Sequence, residues 1–216
     1  VSLPPDPAVP ARDGDVRRGR ARGAVRRGWT RAELETFRDL PVDDLIGSDC
    51  ALLFVGINPG LWTAATGTHF AHPGNRFYPA LFRAGLIDWA VSAGGGLTDR
   101  DREMLLRRRL GFTNLVNRAT ARADELDAAE LLAGADRLRD TATRVRPAVV
   151  AVAGITAYRA AFGRRTARAG RQPDDLAGAR LWVVPNPSGL NAHDTVDTLA
   201  AAYRDAGVAA GLVPPD

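Results

Sequence analysis

The sequence contains no lysine. All 29 basic side chains among its 216 residues are arginines, a usage that fits a GC-rich genome. It also suits phosphate, because the planar guanidinium fork binds oxyanions bidentately. Cysteine is almost absent as well: a lone Cys50 excludes an internal disulfide and a cysteine-built metal cluster. The histidines are only His69, His72 and His193, and they do not share metal-ligand spacing. No apolar run approaches the roughly 18 residues of a membrane span, and the first residues lack the apolar centre of a secretion signal. A G-x-S-x-G elbow and a phosphate loop are missing too, which argues against an α/β hydrolase or a nucleotide-binding protein. The missing span and signal lead to the expectation of a cytoplasmic protein.

What is present is ordinary in amount and uneven in distribution. With 45% hydrophobic and 25% charged residues, the chain is long enough for one α/β domain with a real core plus an appendage. Residues 1–31 hold eight arginines against three aspartates, whereas the remainder holds 21 arginines against 22 acids. The net charge of +4 therefore originates in the N-terminal arm. That arm is rich in Pro and Gly and has no apolar periodicity, so residues 1–29 read as a disordered basic tail and 30–216 as a single domain. The tail serves either as a salt-sensitive hold on nucleic acid or as a passive solvated extension.

Downstream, Thr30–Glu33 has capping-box spacing and predicts a helix to about Leu40. "ALLFVGI" (51–57) is a strand apolar on both faces. A helix follows over Asn75 to Leu86, with Phe77, Leu81, Phe82 and Gly85 at helical spacing. Glycines 94–96 break the chain before a short basic helix, Arg100 to Arg109. "GFTNLV" (111–116) is a second strand, Asp124 to Val145 a long amphipathic helix, and "AVVAVAG" (148–154) a third strand. A helix over Ile155–Phe162, a fourth strand "LWVVP" (181–185) and a final helix from Asp194 or Thr195 complete the series. Such alternation specifies a parallel sheet with helices on both faces.

In such sheets, ligands bind at the edge where the strands end. Asn58, Asn114 and Asn186 each fall at or near the C-terminal end of a predicted strand, so three amides converge on one crevice. An amide offers a donor and an acceptor together, which is what the edge of a pyrimidine requires.

The segments "GINPG", "FAHPGNRF", "GFTNLVNR-T" and "NPSGLN", in this order, resemble those of the mismatch-specific uracil/thymine DNA glycosylases, a branch of the uracil-DNA glycosylase superfamily. The likeness covers about residues 50–206. It implies a three-layer αβα sandwich around a four-stranded parallel sheet, with no metal or cofactor. It also implies a monofunctional enzyme, a monomer acting with the bacterial nucleoid on double-stranded DNA that contains uracil or mismatches. By the same likeness Asn58 positions the attacking water, Asn186 stabilises charge on the departing base, and Ile57, Thr63, Phe70, Asn114 and Thr120 surround that base. Ser188 and Gly189 hold the DNA backbone, Asn191 is a further DNA contact, and Leu190 is the wedge that fills the space of the flipped base.

Structural roles compete with several of these assignments: a core phenylalanine for Phe70, a helix cap for Thr120, a bare tight turn for "NPSGL". Asp124, close in sequence to Thr120, is either an accessory to catalysis or the N-cap of the long helix. Two departures from the pattern matter. Ala192 stands where some members carry an arginine, so reading of the orphaned guanine is either weaker or falls to Asn191. Thr63 replaces a smaller residue, and its bulk near C5 disfavours thymine. The rival reading is a glycosylase-like module that senses damage without cleaving.

Overall fold

The computed structural model describes residues 28–215, so the basic arm, apart from its last two residues, lies outside the described residues. Five strands form one sheet in the order β2-β1-β3-β5-β4. Strands β1 (Leu52–Gly56), β2 (Leu110–Asn114), β3 (Val149–Ala153) and β5 (Ala179–Val184) are mutually parallel. Strand β4 (Gly170–Leu176) runs antiparallel to β5 at one edge.

The sheet is thus one strand larger than the four expected, and the reason is chemical. "GRQPDDL" is polar and mostly exposed, so no apolar alternation marks it. Pro173 lies where the β4–β5 register shifts between Arg171 and Asp175, the kind of edge irregularity that tolerates a missing N–H. The hairpin closes through Ala177 and Gly178, both at positive φ (50° and 84°), as a two-residue turn matched to strand twist demands.

Helices α1 (Arg31–Glu35), α2 (Leu61–Thr66), α3 (Phe77–Arg83), α4 (Asp99–Arg107), α5 (Ala128–Val145), α6 (Ile155–Phe162) and α7 (Val196–Ala209) complete the fold. Both sheet faces are covered, which is why the parallel strands read as continuous apolar runs. Leu52, Phe54, Phe112 and Ala151 point into the layer with α3 and α7, where Phe54 meets Phe77 edge-on at 5.1 Å. Leu53, Val55, Val150 and Val152 point to the other layer, with α5 and α6.

Three helix boundaries differ from expectation. The Thr30–Glu33 capping box forms, yet α1 stops at Glu35. Beyond it the chain turns to pair with a distant loop, Asp39 N donating to Ala119 O and Ala119 N to Leu40 O. Helix α5 begins at Ala128 because Asp127, not Asp124, caps it in a reciprocal box with Glu130. In α3 the helix is shorter than Asn75–Leu86, and Phe82 is 48% exposed rather than inward.

Candidate active site

Two glycines lie at the C-terminal edge of the sheet, and one of them makes a close side-chain approach possible. A Cβ at Gly56 would lie 2.5 Å from Asn114 Oδ1 and 3.4 Å from the Phe70 ring. A Cβ at Gly154 (φ 120°) would lie 3.5 Å from Ile57 Cδ1 and 3.7 Å from Asn186 Nδ2. Gly56 therefore lets Asn114 lie directly over the strand end, whereas Gly154 is set by its positive φ, with Ile57 and Asn186 at ordinary contact distance.

Strand β1 continues past Gly56 into "INPG" because that segment has its own partners. Leu115 N donates to Gly56 O, Val116 N to Ile57 O, and Thr120 N to Pro59 O. The loops after β1 and β2 are stitched together, and Asn58 is fixed between them. Its Nδ2 faces three acceptors: Thr120 Oγ1 at 2.7 Å, Arg118 O at 3.0 Å and Pro59 O at 3.1 Å. Two of these are carbonyls, which accept only, so the amide can be oriented only one way. Its Oδ1 has no partner among the described residues and is left to accept a hydrogen bond from a bound molecule. Thr120, 1% exposed, donates in turn to Arg122 O at 2.7 Å. Its hydroxyl is thus a support for Asn58.

Asn114 ends β2 and is 7% exposed. Its Nδ2 lies 3.3 Å from His69 Nδ1, and His69 Nε2 lies 3.2 Å from Asp43 O. A carbonyl needs a donor, so Nε2 carries the proton and Nδ1 accepts from Asn114. Burial holds the imidazole below its ordinary pKa, which keeps that tautomer neutral. Asn114 is left with Oδ1 and one N–H, a complementary pair. His69 thus orients Asn114 although 45 residues separate the two and no spacing in the sequence links them. His72 does shape its loop: Nδ1 accepts from Gly74 N at 3.0 Å.

Phe70 adopts a left-handed conformation (φ 57°) and stacks on Phe77 at 3.9 Å between centroids, 19° between planes. One face is covered by Phe77 and the ring is half-buried. Thr63 is buried on the first turn of α2.

The loop after β5 has its own geometry. Asn186 Oδ1 accepts from Ser188 N at 3.0 Å, which leaves its Nδ2 without a partner among the described residues. Ser188 Oγ accepts from Leu190 N at 3.3 Å, and Leu190 projects outward, 83% exposed. The Asn191 amide is spent within the loop: Nδ2 donates to Asn186 O and Asp194 Oδ2, and Oδ1 accepts from His193 N.

The structure does not bring Asp124 to this group. Its carboxylate pairs with Arg122 at 2.7 Å and is 64% exposed, and that guanidinium holds it below the usual carboxylate range. Cys50 is buried and its thiol is pushed up to about 12 by desolvation, so it supplies no thiolate at neutral pH. Among the described residues no three His, Cys, Asp or Glu side chains gather closely enough to hold a metal ion, and no helix is long and apolar enough to cross a membrane.

A solution NMR structure of a candidate uracil DNA glycosylase from Methanosarcina acetivorans superposes with a TM-score of 0.53 at 14% identity, covering 81% of this chain and 98% of that one. That likeness is one of fold. The sequence profile of the uracil DNA glycosylase superfamily matches residues 44–207, a span that contains β1, the asparagine-bearing loops and the loop after β5. The chain belongs to the uracil DNA glycosylase superfamily.

Proposed function

We propose that residues 30–216 form a monofunctional DNA glycosylase that acts as a monomer on double-stranded DNA. It flips uracil, preferentially from G:U mismatches, and hydrolyses the N-glycosidic bond to leave an abasic site. The observation that supports this most directly is the orientation of Asn58, whose Nδ2 is held by Thr120, Arg118 and Pro59 while Oδ1 has no partner among the described residues. An amide has no useful proton affinity and is no general base. It can orient a water toward the sugar carbon, which is catalysis by positioning.

The bond to be cleaved is hidden in the stack, so the nucleotide leaves it at a cost of a few kcal/mol, least at a mismatch. Leu190 supplies an apolar wedge for the gap. The extruded base is taken by the face of Phe70 opposite Phe77, with Asn114 presenting its remaining N–H and Oδ1 to the pyrimidine edge. Cleavage proceeds through an oxocarbenium-like sugar with negative charge moving onto the base. Asn186 Nδ2 donates to that charge, as a donor in an oxyanion hole does. No group here is suited to strong acid–base chemistry, so turnover is slow. Buried Thr63 crowds the C5 side and disfavours thymine.

Alkali cleavage of a labelled duplex carrying one G:U or one G:T pair tests the reading. Strand scission at uracil, with thymine much slower, is the expected result. Asn58→Ala is expected to lower the single-turnover rate at least about a hundredfold with DNA affinity nearly unchanged. Binding of the G:U duplex without scission would show a damage sensor instead. Comparable rates on G:T and G:U would sink the specificity.

A further inference from the structure

Arg76 lies outside every group assigned above, at the N-terminus of α3, yet it is bonded to the loop that carries Leu190. Its backbone N donates to Pro187 O at 3.0 Å. Its guanidinium donates to Ser188 O at 2.7 Å, to Asn191 O at 2.6 Å and to Asp194 O. The three carbonyls surround Leu190 in sequence. One arginine thus binds the loop on both sides of the exposed leucine.

A second contact seats the same loop. A Cβ at Gly189 would fall 2.8 Å from Gly74 O, so the residue just before Leu190 rests on the backbone two residues before Arg76. These bonds join the loop to α3, and Phe77, the next residue, is fully buried against Phe54. Exposed apolar side chains on loops ordinarily yield when pressed; a wedge has to hold its place against a stacked duplex. Charge-assisted bonds to carbonyls are among the stronger ones available, and a planar fork reaches several acceptors that a lysine's single ammonium cannot span together.

We infer that Arg76 is a positioning residue for base extrusion, holding the Ser188–Asn191 loop rigid so that Leu190 can be driven into DNA. The inference rests on the reading of Leu190 as the wedge. Arg76 itself touches neither base nor phosphate in this role.

The test is a double-substitution cycle on the full chain, reading single-turnover cleavage of a G:U duplex and, separately, the fluorescence rise of 2-aminopurine beside a non-cleavable 2′-fluoro-uridine. Arg76→Lys is expected to slow both by about tenfold, with a melting curve close to that of the unsubstituted protein. Leu190→Ala is expected to slow both by at least as much. In the Leu190→Ala background, Arg76→Lys should add little, because interacting residues are not additive. Gly189→Ala, which unseats the loop without altering Arg76, should reproduce the defect even where Arg76→Lys folds poorly. A full additional tenfold loss from Arg76→Lys without Leu190 would overturn the inference, as would a normal fluorescence rise in Gly189→Ala. If Leu190→Ala alone cleaves at the unsubstituted rate, the wedge reading falls, and the inference with it. A protein that extrudes the base yet never cleaves would instead overturn the hydrolytic reading and leave this one standing.

Discussion

Thr120 shows how a residue's role changes once its partners are known. From its place in "NLVNRAT" it reads as a pocket-lining side chain or a helix cap; in the structure its hydroxyl accepts from Asn58 at 2.7 Å and donates to Arg122 O. Thr120→Val preserves the shape and deletes both bonds. Asn58 keeps two carbonyl acceptors, so its orientation loosens without being lost. The expected result is a single-turnover rate reduced by about tenfold, with affinity for a non-cleavable uracil duplex changed less than about twofold. A loss of affinity equal to the loss of rate would return Thr120 to the pocket wall. His69 illustrates the same point: an imidazole kept neutral by burial orients Asn114 from a loop that sequence spacing never joined to β2.

Elements here are positioned by a few close backbone approaches. Helix α5 packs beside the end of β2 at Gly134, where an added Cβ would lie 2.5 Å from Leu115 O. That obstacle is backbone, so it cannot rotate away. Leu115 is the residue after Asn114, and its N–H bonds to Gly56 O. Pushing α5 outward therefore strains the strand end that carries the base-reading amide. Gly134→Ala is expected to destabilise the fold by about 1–3 kcal/mol despite the gain in helix propensity, which urea unfolding would measure. An unchanged or raised midpoint would mean that the helix shifts freely and that its seat on Leu115 is unimportant. Helix α5 was legible in sequence from its apolar spacing, but its start was not: the sequence offers Asp124 as the cap, and the structure places it at Asp127, on which Glu130 folds back.

For the whole molecule the open quantity is attraction to DNA. Three arginines of the folded domain are occupied by acids: Arg38 pairs with Glu35 and Glu125, Arg118 with Asp39 and Glu130, Arg122 with Asp124. Residues 1–28 hold seven arginines against three acids, and we propose that they supply the long-range term. Deleting them should leave the cleavage step intact and weaken binding at low salt. The log–log salt slope should flatten by about 0.9 for each phosphate that the shortened chain no longer neutralises. Weaker binding should also speed product release, so multiple turnover can rise as affinity falls. Binding isotherms at several salt concentrations for full-length and shortened chains decide this. Identical slopes would make the arm a passive extension.

Composition and periodicity by themselves determined the parallel α/β sheet, because a strand buried on both faces needs an unbroken apolar run and ALLFV, AVVAVA and LWVV supply it. They also placed Asn58, Asn114 and Asn186 at one edge, since in a parallel sheet all C-terminal strand ends lie together. Tertiary structure alone decided the rest. The polar edge strand β4 forms because β5 offers it an unpaired backbone, a property of the neighbour and not of "GRQPDDL". The orientations of the three amides depend on Thr120, His69 and Ser188, two of them 45 or more residues away. The hold of Arg76 on the loop around Leu190 spans more than a hundred residues. Hydrogen bonds to carbonyls leave no periodic trace in a sequence, since every residue has a carbonyl and only the folded chain says which ones are near.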